Sequence, residues 1–106
     1  MSKTFETIVS EHLEWASVTF PKGTAVGALL HLKREADEVI HDILNSASKE
    51  YKTEEYADCL GCLMDSINRE GISIAELLDA YDKKLQKNKG RTWRDNGDGS
   101  YSHIKP

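Results

Sequence analysis

The stretch VGALLHLKREADEVIHDIL, residues 26–44, decides how this chain folds. Leu29, Leu32, Ala36, Ile40 and Ile43 recur at three- and four-residue intervals, the stripe of an amphipathic helix. At about 100° per residue, Glu35 and Glu38 point away from the Leu29–Ala36–Ile40 side, and His31 and Asp42 join them. After a gap of 16 residues, Glu55-Tyr-Ala-Asp58 repeats the acidic i,i+3 spacing in a second helical stretch. Both carboxylates of each pair therefore project from one face. Two such faces brought together make a dense cluster of hard oxygen donors. Mg²⁺ or Mn²⁺ is the natural occupant of such a cluster, and a polyphosphate is that ion's natural ligand.

Working outward, the pattern predicts four helices. The first spans Lys3 to about Ala16, with Phe5, Ile8, Val9, Leu13 and Ala16 on one stripe. Pro21, Gly23 and Gly27 mark a loop before the second helix, which runs from about Val26 to Leu44 and ends at Asn45-Ser46-Ala47-Ser48. The third is expected to start after Thr53 as N-cap and to end at Glu70, with Gly71 as the C′ residue. Tyr56, Leu60, Leu63, Met64 and Ile67 form its apolar face. Ser73-Ile-Ala-Glu76 reads as a capping box opening a fourth helix, which carries Leu77, Leu78, Tyr81 and Leu85 to about Lys89-Gly90. The fold class is all-α, a four-helix bundle with an irregular C-terminal tail. In that tail, residues 91–106, the turn signal Asn96-Gly97-Asp98-Gly99 leaves a short hairpin or an arm over a neighbouring subunit open.

A chain of 106 residues without linker or repeat is expected to be one domain, 1–106, with its helical core over about 3–90. A net charge of −4 argues against general binding to nucleic-acid backbones, which calls for a basic surface. There is no apolar run long enough for a membrane span and no signal-peptide layout. The expected location is the cytoplasm, the host's if the gene is viral. Cys59 and Cys62 are the only cysteines, too few for a disulfide scaffold. They fall mid-helix with no second pair, which speaks against zinc or redox chemistry.

Acidic helix faces usually face solvent. A solvated face, however, normally interleaves Lys or Arg, and the third helix has none from Thr53 until Arg69. Its acids are flanked instead by Gly61, Cys62 and Ser66. Uncompensated carboxylates beside small residues suit a site where a cation supplies charge and a ligand needs room. Lys83, Lys84, Lys87, Lys89, Arg91 and Arg94 crowd the end of the fourth helix and its exit. Part of that cluster complements the helix dipole. An acidic cluster together with a separate basic one is also what a nucleoside triphosphate requires.

These residues resemble the MazG-like superfamily of all-α nucleoside triphosphate pyrophosphohydrolases. Thr19-Phe20, Gly27, His31-Leu32-Lys33-x-Glu35, Glu55-Tyr56-Ala57-Asp58, Asp65, Gly71-Ile72-Ser73, Lys84-Leu85-x-x-Asn88-Lys89-x-Arg91-x-Trp93 and Asp98-Gly99…His103-Ile104 are similar to its dATP/dGTP diphosphohydrolase branch, often found in phages. The resemblance covers roughly residues 15 to 104. It implies Mg²⁺- or Mn²⁺-dependent cleavage between the α- and β-phosphates of a deoxynucleoside triphosphate. Carried over by position, Glu35, Glu38, Glu55 and Asp58 would be metal ligands. Glu38, with Glu35 beside it, would orient or deprotonate the attacking water. Lys84, Asn88 and Arg91 would hold phosphate oxygens. Ile72, Ile74, Leu77 and Tyr81 would have few partners in a monomer, so a homo-oligomer is expected, its subunit interface completing each nucleotide site; the resemblance implies a tetramer built as a dimer of dimers.

Asp65 lies two turns past Asp58, roughly 10 Å along the helix, about the reach from α-phosphate to base. A carboxylate there can accept from guanine N1–H and N2–H₂, which predicts a preference for dGTP over dATP. The competing expectations are that Asp65 pairs with Arg69 at i+4 or binds another metal. Trp15, Phe20 and Trp93 are candidates to stack on the base, although aromatics near loops more often anchor a core. His31, one turn before Glu35, is a candidate phosphate donor. The alternatives are a non-catalytic helical interaction module and, within the resemblance, a preference for pyrimidine nucleotides.

Overall fold

The computed structural model describes residues 2–105 and contains four helices: α1 (Phe5–Thr19), α2 (Ala25–Leu44), α3 (Lys49–Arg69) and α4 (Ile74–Lys89). Two strands follow, β1 (Trp93–Asp95) and β2 (Tyr101–His103). The chain divides into two compact units, one ending at Ser73 and one beginning at Ile74.

In the first unit α3 packs along α2 and also meets α1. Local chemistry sets each boundary. Thr4 and Thr24 cap α1 and α2, their hydroxyls accepting from the Thr7 and Gly27 amides. Gly27, read from sequence as loop, therefore sits in the first turn of α2, its N–H bonded 2.9 Å from Thr24 Oγ1. The third helix begins four residues before the Thr53 position, at Lys49, because Ser48 is its cap and accepts from Tyr51 N–H. Thr53 is interior instead, its hydroxyl donating to Lys49 O at 2.7 Å. At the other end, Gly71 adopts φ 74°, a left-handed conformation that side chains disfavour. The Gly71 and Ile72 amides bond back to Asn68 and Ile67 carbonyls, closing α3 with a Schellman turn.

Antiparallel α2 and α3 are tied together where α2 starts. Ser66, 4% exposed, donates to Ala25 O at 2.9 Å. Arg69 donates through Nη1 to Gly23 O and through Nη2 to Phe20 O, at 2.7 and 3.0 Å. A Cβ on Gly23 would sit 2.6 Å from the Arg69 guanidinium carbon, so a side chain there would displace the guanidinium.

The buried apolar core is small: Val9, Ala16, Ala28, Val39, Cys62 and Met64. Several residues of the expected apolar stripes lie outside it. Leu29, Ile40 and Ile43 of α2 and Tyr56 and Leu60 of α3 are between 44% and 56% exposed. The helices meet along a line rotated away from those stripes, through Ala28, Val39 and Cys62, which also brings the half-buried Glu35, Asp42 and Glu55 inward.

In the second unit, α4 opens one residue after Ser73 and ends at Lys89, as the periodicity predicts. The tail is a short antiparallel hairpin rather than irregular, with Trp93 opposite His103 and Asp95 opposite Tyr101. Asp95 and Asp98 carboxylates accept from the Gly97 and Ser100 amides, and Asn96 N–H bonds Ser100 O, so the turn satisfies its own polar groups.

Candidate active site

The two acidic motifs meet across the seam between α2 and α3. One carboxylate oxygen each from Glu35, Glu55 and Asp58 lie within 4.8 Å of one another. Glu38 stays exposed at the rim, its carboxyl beside Glu55. Helical rise explains the juxtaposition: the start of α3 runs antiparallel to the second half of α2, so the i,i+3 pairs face each other.

The cluster has too little positive charge. Among the described residues, no Lys or Arg forms an ion pair with Glu35, Glu38, Glu55 or Asp58. His31 Nε2 lies 3.1 Å from Glu35 Oε1 and can carry positive charge when protonated. Glu35 Oε2, Glu55 Oε2 and Asp42 Oδ2 are buried without a hydrogen-bond partner. Desolvation, then the Glu38 and Glu35 carboxyls within hydrogen-bonding reach, then their charge, push Glu55 up to about 7. Tyr51 is raised too, first by Glu55 and then by Asp42. Orphaned, mutually repelling hard oxygens are the donor set that a divalent oxygen-seeking cation satisfies. Cys59 and Cys62 border the cluster, but burial and then the Glu35 charge push both thiols up, so they stay protonated and unsuited to soft metals.

A cavity of about 560 Å³ opens beside the cluster. Glu35, Asp58 and His31 lie on its wall together with Arg34, and so do Trp15, Phe20, His12 and Asp65. Trp15 and Phe20 meet edge to face, centroids 5.2 Å apart. Asp65 is held by Arg69, whose Nε donates to both carboxylate oxygens at 3.1 and 3.0 Å, one of the competing expectations from sequence. The acidic pairs, His31, Asp65, Trp15 and Phe20 are thus brought together within one unit.

Lys84, Asn88, Arg91 and Trp93 belong to the second unit. There Arg91 Nη1 donates to Asn88 Oδ1 at 2.9 Å and the Trp93 indole donates to Asn88 O at 3.1 Å, so Asn88 organises both residues. Sequence reasoning missed His12 and Arg34 as wall residues. His12 does fall at helical spacing with Val9 and Ala16, the two buried positions of α1, and that spacing was a usable signal.

A family model described as dATP/dGTP pyrophosphohydrolase matches residues 8–105. A dATP/dGTP diphosphohydrolase of Salmonella phage PMBT28 is 36% identical over 90 residues, covering 85% of this chain. The chain spans 28% of that relative's length. A solved structure, the cyanophage S-2L MazG-like pyrophosphohydrolase bound to dGDP and three catalytic Mn²⁺ ions per active site, aligns with a TM-score of 0.75 at 25% identity. That alignment covers 98% of this chain and 100% of the cyanophage chain. With nearly its whole length matched, the chain belongs to the dATP/dGTP pyrophosphohydrolase family.

Proposed function

We propose that this protein hydrolyses purine deoxynucleoside triphosphates between the α- and β-phosphates, dGTP in preference to dATP, releasing the monophosphate and pyrophosphate. The observation that carries this reading is the Glu35–Glu55–Asp58 oxygen trio, two of whose members, Glu35 and Asp58, line a cavity that Trp15 and Phe20 also line. The relatives named above support it.

Glu35, Glu38, Glu55 and Asp58 would hold Mg²⁺ or Mn²⁺, which would supply Lewis acidity and positive charge against the polyphosphate. Glu38, free at the rim, takes the proton of the attacking water. The water oxygen bonds to the α-phosphorus as the bond to the α–β bridging oxygen breaks, and the electron pair leaves with pyrophosphate. His31 donates to a phosphate oxygen when not engaged by Glu35. Lys84, Asn88 and Arg91 hold the remaining phosphate charge, with Arg91 pre-oriented by Asn88. Trp15 and Phe20 flank the base. Arg69 pins the Asp65 carboxylate without exhausting its lone pairs, which leaves it free to accept from guanine N1–H and N2–H₂.

Incubation with each deoxynucleoside triphosphate and Mg²⁺ or Mn²⁺ tests the reaction. Pyrophosphate release, greatest with dGTP, is expected. Orthophosphate release, or no turnover of any nucleotide, would overturn it and favour another phosphohydrolase chemistry or a binding module.

The exposed apolar strip on α2 and α3 supports a homo-oligomer, with a tetramer the expected form. Apolar area this large on a chain this small usually marks an interface. Ile40→Asp with Leu60→Asp should reduce the assembly to monomers in sedimentation. A wild type that sediments as a monomer would refute the oligomer outright.

A further inference from the structure

We infer that His12 is the residue that distinguishes purines from pyrimidines, its Nε2–H donating to the purine N7; this deepens the reaction proposed above and rests on it. His12 lines the same cavity as Glu35 and Asp58, yet no part of the hydrolytic chemistry calls on it. Its Nε2 is buried and has no hydrogen-bond partner. A buried polar nitrogen left unpaired costs about 1–3 kcal/mol, so its persistence inside a ligand-sized cavity points to a partner that the ligand brings.

Placement favours the base over the phosphates. The His12 ring lies over Gly61 of α3, Cε1 being 3.6 Å from where a side chain on Gly61 would begin. Gly61 is one turn beyond Asp58, roughly 4.5 Å along the helix axis, and away from Glu55. His12 also packs against Trp15, ring centroids 6.0 Å apart, at the aromatic wall. A nucleotide whose α-phosphate meets the carboxylates and whose ring meets Trp15 brings its base to His12. Asp65, an acceptor, suits the Watson–Crick edge of guanine, whereas an imidazole N–H suits an acceptor on the other edge. N7 is the acceptor that adenine and guanine share there and that no pyrimidine offers.

The test compares dGTP with 7-deaza-dGTP, and dATP with 7-deaza-dATP, by kcat/KM for pyrophosphate release. Binding of dGMP and 7-deaza-dGMP is measured in parallel by calorimetry. One hydrogen bond predicts that the wild type disfavours each 7-deaza analogue by about tenfold. His12→Phe keeps the ring and should erase that difference, while His12→Gln, which retains an N–H donor, should restore part of it. Equal handling of the natural and 7-deaza compounds by the wild type overturns the proposal without any variant. Full retention of the difference in His12→Phe overturns it as well. Should no triphosphate be cleaved, the reaction proposed above fails, and the binding arm still reads whether His12 recognises N7.

Discussion

Two ends of one seam treat their carboxylates differently. Where α2 begins, Asp65 is matched by Arg69, whose guanidinium also binds two backbone carbonyls in the loop before α2. Further along the seam, Glu35, Glu38, Glu55 and Asp58 converge with no Lys or Arg ion pair among the described residues, and two of their oxygens are buried without a partner. The same helices, packed the same way, neutralise one acid internally and leave four others to an outside charge. The first end has its charge matched within the protein, and the second is left to attract a cation. The distinction lies in where the chain places its cations, since the number of acids alone does not separate the two ends.

The sharpest way to break this contrast is to remove one member of the uncompensated set. Glu35→Gln keeps size and packing but deletes a charged ligand atom. Turnover should fall by at least about a thousandfold, a loss near 4 kcal/mol of transition-state stabilisation. Mn²⁺ affinity measured by calorimetry should fall with it. The metal-free fold should hold or strengthen, because the substitution relieves repulsion with Glu55. A Glu35→Gln protein with full activity would mean that the cluster is only a surface feature.

The opposite end predicts the opposite response. Arg69 and Asp65 side chains are 17% and 18% exposed, so removing the guanidinium strands a largely buried carboxylate and two loop carbonyls. Arg69→Met should cost about 3 kcal/mol in chemical denaturation, with no dependence on divalent cations. If Arg69→Met were as stable as the wild type, the division between a structural end and a binding end would dissolve.

Much of this contrast was legible in the sequence, because helical spacing alone puts Glu35 with Glu38, Glu55 with Asp58, and Asp65 within reach of Arg69. The four helices were legible for the same reason, as was Gly71, whose place after Arg69-Glu70 needs φ above zero. The start of α3 was not: Lys49-Glu50-Tyr51-Lys52 carries no apolar period, so Thr53 looked like the cap although Ser48 serves. Periodicity also shows which face of a helix is apolar without showing which neighbour covers it. Leu29, Ile40 and Leu60 therefore read as core and stand exposed, while the line of contact runs through Ala28, Val39 and Cys62. His12 escaped notice because its helical spacing with Val9 and Ala16 marks an inward face without marking a ligand site; its orphaned Nε2 in the folded chain does that.

The mildest test reads the strain at the uncompensated end as pH-dependent stability. Glu55 rises from 4.5 to about 7 in the folded protein, so between those values the native state holds a proton that the unfolded chain has released. More protons bound in the folded state means that stability falls as pH rises. The metal-free protein should therefore melt at progressively lower temperature from about pH 4.5 to about pH 7 and then level off, as far as this group is concerned. Saturating Mn²⁺ should flatten or reverse the slope, because the cation replaces the proton and binds better as Glu55 ionises. In Glu55→Gln the slope over that window should largely disappear, whereas in Asp65→Asn, at the matched end, it should persist. A metal-free wild type that gains stability across this window would show that the cluster's repulsion is already relieved within the protein.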